Sequence, residues 1–305
     1  MREAELLARI RSIFDAHVPK RDLIVDNGDD GAIFAPGGKE VIVAADVAVE
    51  GVHFKREWST GFDIGRKITA ANLADICAMG GWPEYLLVTA VIPEHWLVDA
   101  ISIAEGIAAE ARLVNAAVIG GDLSSGKELS ISITAIGYAE RKLLRSGAQE
   151  GDFVVLSHIP GWSAAGLSLL QSHIGERDPI QLRAISAHKS PTIPYEKYRK
   201  SFPYLSSAID ISDGLVIDAG HIAQASGVAF DLDSSSLADE ELSTIGEARN
   251  WILGGGEDHV LLGTSRQPMQ CEGFATIGRV TAGSGEVRID GKEVGNRGFQ
   301  HEWKS

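Results

Sequence analysis

The sequence has little of what several common classes of protein depend on. It contains two cysteines in 305 residues, Cys77 and Cys271, and neither lies in a C-x-x-C pair or a Cys/His ligand pattern. Zinc sites, redox centres and disulfide frameworks therefore have no support. So few cysteines are typical of a protein of the reducing cytoplasm.

Long apolar runs and an excess of positive charge are also lacking. No apolar stretch reaches the roughly 18 residues that a membrane span needs, and Met1-Arg2-Glu3 is too charged to open a signal peptide. The formal net charge is -14, which argues against general nucleic-acid binding because that requires a basic face. We therefore expect a cytoplasmic protein with neither a nucleic-acid nor a membrane partner.

Motifs of nucleotide loops and covalent catalysis are missing as well. No G-x-x-x-x-G-K-[ST] loop occurs, so a P-loop fold is not expected, and no kinase-type glycine-rich loop with its lysine is present. No nucleophile stands beside a base in a pattern that favours covalent catalysis. With 44% hydrophobic and 23% charged residues, the composition is that of a globular protein of one large or two smaller domains.

What the sequence does contain is a series of short acidic motifs. They are Gly28-Asp29-Asp30, Asp46 before Glu50-Gly51-Val52-His53-Phe54, Asn72-Leu73-Ala74-Asp75, Gly120-Gly121-Asp122 and Asp210-Ile211-Ser212-Asp213-Gly214. Each alone has an ordinary interpretation as a turn, a helix cap or a paired carboxylate. Together they indicate carboxylates gathered around a cation. Mg²⁺, which prefers hard oxygen ligands and substrate phosphates, is the simplest candidate.

The apolar periodicity predicts an α+β protein rather than strict βαβ alternation. Helices are predicted over 3–17, 63–79, 95–113, 163–172 and 214–226, and strands over 41–45, 86–92, 118–119, 129–137, 153–157, 228–232 and 259–263. Asp46 is expected to end its strand, Gly120-Gly121-Asp122 to form a turn, and the chain through Pro191 and Pro194 to be a polar connection. The polar segment 145–152 predicts domains over 1–144 and 145–305.

Two of the motifs have competing interpretations. Asp75 shares a helical stripe with Ile68 and Met79 that is predicted to face the core. A buried carboxylate must be paired, protonated or bound to metal. Ser212 or Asp213 could cap the helix that follows. Alternatively, N–H groups at the start of that helix could bind a phosphate.

In this order and spacing, the motifs resemble those of the thiamine-monophosphate kinase family in the aminoimidazole ribonucleotide synthetase superfamily. The shared motifs are those above together with Ile76-Cys77-Ala78-Met79-Gly80, Arg145-Ser146-Gly147-Ala148 and Gly255-Gly256-Glu257-Asp258. The resemblance runs from Gly28 to Asp258. No single piece is specific, but the ordered set is.

The resemblance implies ATP-dependent phosphorylation of thiamine monophosphate to thiamine diphosphate by direct, Mg²⁺-assisted in-line transfer. It implies a homodimer, in which an N-terminal metal- and ATP-binding α/β domain forms a barrel with a second subunit. A C-terminal α+β domain would complete the active-site cleft.

The resemblance also implies roles for individual residues. The residues that would hold Mg²⁺ are Asp30, Asp46, Asp75, Asp122, Asp210 and Asp213, of which Asp30 and Asp210 would act most directly in catalysis. Those that would contact ATP are Gly121, Asp122, Arg145 and Ser212, and those that would contact the thiamine phosphate are His53 and Glu257.

The chain departs from the family pattern at three places. Ala44-Ala45 precedes Asp46 where the family has a Ser or Thr pair, and His259 follows Asp258 where it has a tyrosine. No aromatic residue near the C-terminus clearly matches the one that stacks on thiamine; the nearby residues are Asn296, Arg297, Phe299 and Trp303. Two alternatives stay open: another ATP-dependent enzyme of the superfamily, such as aminoimidazole ribonucleotide synthetase, and a nucleotide-binding regulatory protein without turnover.

Overall fold

The computed structural model describes residues 3–15, 23–25, 33–172, 178–269, 273–295 and 298. The chain divides into two compact units: unit 1 is Met1–Cys77 with Gly81–Glu140, and unit 2 is Ala78–Gly80 with Arg141–Ser305. Each unit combines helices with its own sheet, and the fold is α+β, as predicted. Across the described ranges, no helix has both the length and the apolar character that a membrane crossing requires.

Unit 1 is built on a four-stranded sheet. Its elements are α1 (Glu3–Asp15), β1 (Leu23–Val25), β2 (Ile33–Phe34), β3 (Val41–Val49), α2 (Gly61–Ala78), β4 (Gly81–Ile92), α3 (Ala100–Arg112), β5 (Ala117–Ser125) and β6 (Ser130–Ala139). The sheet order is β3-β6-β4-β5, with β4 parallel to β5 and antiparallel to β6. β1 and β2 pair separately.

Helices α2 and α3 cross at a point where only glycine fits. A Cβ at Gly65 would lie 2.1 Å from the Ile103 carbonyl oxygen, and one at Gly106 would lie 2.2 Å from the Phe62 carbonyl oxygen. Both obstacles are backbone atoms in a close-packed interior, so any side chain here would push the helices apart. This crossing fixes α2, which carries the predicted site residue Asp75, against the core.

Unit 2 is built on a seven-stranded sheet. Its elements are β7 (Phe153–Leu156), α4 (Trp162–Gln171), α5 (Pro179–Lys189), α6 (Tyr195–Ser201), β8 (Ser207–Ile211), α7 (Leu215–Ser226), β9 (Val228–Leu232), α8 (Glu240–Thr244), α9 (Ala248–Gly254), β10 (Val260–Ser265), β11 (Ala275–Ala282), β12 (Val287–Ile289) and β13 (Lys292–Glu293). The order is β13-β12-β9-β11-β7-β10-β8. Side chains of α7 such as Leu215 and Ile222 pack on sheet residues such as Ile209 and Phe230 to form the core.

Two strands run further than predicted. β3 continues to Val49, so Asp46 lies inside the strand, where it pairs with Ile133. β5 continues through Gly120-Gly121-Asp122 to Ser125, so this motif is strand and not turn. In both cases pairing with a neighbouring strand outweighs the local preference of aspartate and glycine for turns.

Two helices replace the polar connection predicted through Pro191 and Pro194. α5 begins with a capping box, in which Asp178 Oδ1 accepts the Gln181 N–H at 2.8 Å and the Gln181 side chain accepts the Asp178 N–H at 3.3 Å. Pro179 occupies the first turn of α5, and Pro194 is the N-cap of α6. These two prolines therefore mark helix starts, where the missing N–H costs nothing.

His158, just after β7, is expected to make unit 2 sensitive to acid. Burial, followed by the charges of Lys197 and Arg183, lowers the pKa of His158 to about 4. An unfolded histidine titrates near pH 6.5, so unfolding takes up a proton between these values and the free energy of unfolding falls as the pH drops through them. Between pH 7 and pH 5 the wild type should lose about 2 kcal/mol more than His158→Gln, measured by chemical denaturation. An equal loss in both proteins would contradict this.

Candidate active site

The best-defined group of predicted site residues lies in unit 2, where β8 leads into α7. Asp210 pairs with Leu261 of β10 and is buried. Its Oδ2 accepts a hydrogen bond from His259 Nδ1 at 3.0 Å. Because a carboxylate can only accept, Nδ1 carries the proton. Asp210 is thus a buried acid with a defined polar partner, as a carboxylate in such a place requires.

A carboxylate that the sequence interpretation missed, Asp218, organises the loop between β8 and α7. Its Oδ2 accepts the backbone N–H groups of Ser212, Asp213 and Gly214, each at 3.1 Å. The N-cap of α7 is Gly214, so the prediction that Ser212 or Asp213 caps the helix is wrong. The prediction that the helix start offers N–H groups to a phosphate is also wrong for these three groups, because Asp218 already accepts them.

Asp218 lies close to other acids. Burial, followed by the charge of Asp210 and more weakly that of Asp213, raises the pKa of Asp218 to about 7, against the lowering effect of the N–H donors. The only signal for it in the sequence is an acid in the first turn of a helix, a common position because the helix dipole favours negative charge there. The three aspartates make this end of β8 electronegative, a field that a bound cation would neutralise.

The glycine-rich turn 254–259 packs against the same loop. A Cβ at Gly256 would lie 2.1 Å from the Ser212 carbonyl oxygen, and the Glu257 N–H donates to that oxygen at 2.9 Å. Glu257 and His259 have φ values of 64° and 51°, a left-handed conformation that is uncommon outside glycine. We call the resulting set the Asp210 cluster; it comprises Asp210, Ser212, Asp213, Asp218, Glu257 and His259.

The two acids of this turn have different surroundings. Glu257 is about one-third exposed, and its Oε2 lies 3.5 Å from His188 Nδ1, which is also 3.1 Å from Ser163 Oγ. Asp258 is buried and accepts the N–H groups of Gly161 and Ser163 at 2.8 Å, at the start of α4. Burial raises the pKa of Asp258 to about 6. Asp258 therefore anchors the turn, whereas Glu257 can reach a ligand.

Arg145 lies at the other end of β8. It opens a 3₁₀ turn in which a Cβ at Gly147 would lie 2.1 Å from the Ser206 carbonyl oxygen, just before β8. The Arg145 carbonyl accepts from Ser226 Oγ, at the end of α7, at 2.7 Å. From Ser206 to Asp210 a strand rises about 13 Å. The structure therefore does not bring the Arg145 backbone beside the Asp210 cluster.

In unit 1, Asp46 and Asp75 lie where β3 meets α2. The Asp46 N–H donates to Asn72 Oδ1 at 3.1 Å, and the fully buried Asn72 donates in turn to the Ile68 carbonyl at 2.9 Å. Asp75 lies one turn further along α2 and is half-buried. Met79, predicted to face the core, is 38% exposed because α2 ends at Ala78. Asn72 thus joins the segments that carry the two aspartates.

His53 also lies beside β3. Its Nδ1 accepts the Val49 N–H at 3.1 Å, so in the neutral ring the proton is on Nε2. The His53 carbonyl accepts from the buried Lys67 Nζ at 3.1 Å. The ring is therefore fixed in one orientation.

Asp122 lies on β5, at the opposite edge of the sheet from β3. Three strand spacings separate the two edges, roughly 14 Å, so unit 1 does not bring Asp122 to Asp46. Asp122 is exposed and, with Gly121, lines a cavity of about 280 Å³ between the sheet, α1 and α3. A Cβ at Gly121 would lie 1.8 Å from the Val88 carbonyl oxygen. This glycine is therefore required by the pairing with β4.

The residues of the site fit magnesium by their chemistry. Gly28, Asp29 and Asp30 lie outside the described residues, so the role of Asp30 stays a prediction. Among the residues that the structure does describe, no three His, Cys, Asp or Glu side chains come together as a ready-made metal site. Asp210 and Asp213 offer carboxylate oxygens, and Mg²⁺ typically takes only one or two carboxylates and completes its shell with water and substrate phosphates.

Comparison with known proteins first identifies the fold class to which this chain belongs. The family described as AIR synthase related protein, N-terminal domain, matches residues 28–139. A solved thiamine-monophosphate kinase from Stenotrophomonas maltophilia K279a has a TM-score of 0.85 at 31% identity, over 96% of this chain and 98% of that one. A structure described as AaThiL complexed with AMPPCP and TMP has a TM-score of 0.80 at 32% identity, over 99% of each chain. The fold is therefore that of the AIR synthase-related proteins.

Comparison with the sequences of known proteins then narrows this fold class to one family. Thiamine-monophosphate kinase of Mycobacterium tuberculosis is 36% identical over 290 residues, which are 91% of this chain and 86% of that protein. This chain belongs to the thiamine-monophosphate kinase family, a family of kinase enzymes. The family predicted from the order of the acidic motifs is confirmed.

Proposed function

We propose that this chain phosphorylates thiamine monophosphate to thiamine diphosphate with ATP and Mg²⁺, by direct in-line transfer. The observation that carries the proposal is the Asp210 cluster, which gathers carboxylates at the end of β8. Its support is a relative, 32% identical over 99% of this chain, that holds AMPPCP, an ATP analogue, together with TMP. We place the reaction in the cytoplasm on the strength of the low cysteine content.

Phosphoryl transfer requires mainly positioning and neutralisation of charge. Bound Mg²⁺ supplies the positive charge that offsets the phosphate oxygens during transfer. Asp210 and Asp213 would bind Mg²⁺ in unit 2, and Asp46 and Asp75 would bind Mg²⁺ in unit 1. Asp218 keeps the loop in the shape that presents Ser212 and Asp213. Asp30 and Asp122 are further proposed Mg²⁺ ligands, and residues 1–144 are the proposed N-terminal metal- and ATP-binding domain.

The acceptor phosphate is already an anion, so the reaction does not need a nucleophile on the protein. The buried Ser163 and the half-buried Glu257 both approach the same nitrogen, Nδ1 of His188. A catalytic triad needs the serine and the carboxylate on different ring nitrogens, so this group is not a triad.

We propose that Glu257 and His53 contact the thiamine phosphate, and that Arg145, Ser212 and Gly121 contact ATP.

The proposal is tested by incubating the purified protein with ATP, Mg²⁺ and thiamine monophosphate. Thiamine diphosphate and ADP should form in equal amounts, and omission of Mg²⁺ should abolish both. Thiamine, which has a hydroxyl in place of the acceptor phosphate, should not be phosphorylated. Turnover of ATP on another acceptor, without thiamine diphosphate, would sink the substrate assignment.

We also propose that the protein is a homodimer paired through β3. This strand is an edge of the four-stranded sheet, and its residues Val41, Val43 and Val47 are 42%, 61% and 50% exposed. An exposed apolar edge strand is a template for pairing with another chain. Sedimentation should show a dimer for the wild type and a monomer for the double variant Val43→Lys/Val47→Lys.

Val98→Lys is the matched control for the dimer prediction. Val98 is 81% exposed but lies outside β3, so this variant should remain dimeric. A monomeric wild type, or a double variant that stays dimeric, would contradict the role of β3.

A further inference from the structure

His259 is held by the protein through its backbone as well as its side chain. Its Nδ1 donates to Asp210 Oδ2 at 3.0 Å, and the two side chains are 7% and 6% exposed. Its N–H donates to the Ile211 carbonyl at 3.0 Å, and its own carbonyl accepts from the Tyr198 hydroxyl at 2.9 Å. The backbone that carries the imidazole is therefore held independently of the carboxylate that the ring contacts.

The anchoring of Tyr198 extends this support into the sheet. The Tyr198 hydroxyl also accepts the Leu261 N–H at 3.2 Å and a hydrogen bond from Ser157 Oγ at 3.3 Å. Because Leu261 is the residue of β10 that pairs with Asp210, the same network holds the strand that pairs with the aspartate and the backbone of the histidine that meets its side chain.

The backbone at position 259 has a conformation that is uncommon for residues other than glycine, although histidine is among those that adopt it more often. Its φ of 51° is left-handed, a conformation that glycine and asparagine adopt most readily. Strained positions persist where the surrounding structure holds them, and they are concentrated at functional sites. A buried ring in this conformation, with its donor on a buried acid, points to a role for the side chain itself.

Resting on the proposed function, we propose that His259 is a positioning residue for Asp210. The Nδ1–H donor fixes the rotation of the carboxylate, so that a divalent cation meets a ligand of set orientation. Removal of a group that hydrogen-bonds to a metal ligand and orients it typically lowers metal affinity or activity by about 10- to 100-fold. His259 would not itself touch the substrate.

Metal binding without turnover tests this role. Each protein is titrated with Mn²⁺ in the presence of AMPPCP, and free Mn²⁺ is followed by electron paramagnetic resonance, since Mn²⁺ suits the same oxygen ligands as Mg²⁺. His259→Gly and His259→Ala remove the donor, and the first of them also relieves the backbone strain. His259→Asn keeps an N–H donor near the place of Nδ1 and tolerates the left-handed backbone. His95→Asn, on an exposed histidine of unit 1, is the control.

We expect the donor-free variants to bind Mn²⁺ about 10- to 100-fold more weakly than the wild type, and His259→Asn and His95→Asn to stay within about threefold of it. Unchanged affinity in a folded donor-free variant would overturn the proposal, as would an asparagine variant no better than glycine or a wild type that binds no Mn²⁺. If neither donor-free variant folds while His259→Asn does, the donor serves folding, and the proposal is also overturned. A wild type that binds Mn²⁺ but forms no thiamine diphosphate would instead refute the proposed function.

Discussion

Asp210→Asn should lower kcat for thiamine diphosphate formation by roughly 1,000-fold, which corresponds to about 4 kcal/mol, while the protein stays folded. The substitution removes a negative charge from the proposed metal ligand. It keeps an oxygen that can still accept from His259 Nδ1, the contact seen at 3.0 Å. An amide is also less costly to bury than a carboxylate, so thermal unfolding should show no loss of stability. Steady-state rates at saturating Mg²⁺ and ATP measure the effect.

Asp152→Asn is the matched control for Asp210. Asp152 is equally buried in unit 2 and accepts the Gln149 N–H at 3.2 Å, but it lies outside the Asp210 cluster. Its amide variant should keep near-normal turnover. If Asp210→Asn turned over within about tenfold of the wild type, the assignment of Asp210 to the reacting centre would be wrong.

Asp75→Asn should lower turnover by at least about 100-fold, again without unfolding the protein. Asp75 is half-buried on α2, one turn beyond Asn72, which hydrogen-bonds the Asp46 backbone. Both aspartates are proposed to hold Mg²⁺, so removal of one charge should weaken metal binding and raise the Mg²⁺ concentration needed for half-maximal rate. Helix α2 keeps its contacts with α3, because Gly65 and the buried side chains are unchanged.

Glu105→Gln on α3 is the comparison for Asp75, since it removes the charge of an exposed acid elsewhere in unit 1. Its rate and Mg²⁺ dependence should match those of the wild type. Near-normal turnover of a folded Asp75→Asn variant would remove Asp75 from the site.

Much of the fold could be predicted from local pattern. The apolar stripe of α1 and the run that becomes β4 are visible in the sequence, because burial of one face imposes a period. The full extents of β3 and β5 are not visible in the sequence. The pairing of Asp46 with Ile133 and of Gly121 with Val88 depends on strands that are distant in the chain. Helix α5 was missed although Asp178-Pro179 is a strong start signal.

The family could be predicted from the sequence, but the arrangement of the candidate site and the presence of Asp218 and His259 in it could not. The order of the acidic motifs identified the family. The loop donors that Asp218 accepts were expected to be available to a phosphate, and nothing in that motif indicates a carboxylate folding back from the next helix turn. The contact of His259 with Asp210 joins positions 49 residues apart, so only the pairing of β8 with β10 brings them together.

The fate of the γ-phosphoryl group tests the central claim most directly. The protein is incubated with Mg²⁺, thiamine monophosphate and ATP labelled at its γ-phosphorus, and the thiamine phosphates are separated from inorganic phosphate. If the carboxylates serve in-line transfer to the acceptor phosphate, the label will be found in the terminal phosphate of thiamine diphosphate. Label recovered only in ATP or in inorganic phosphate would contradict the account.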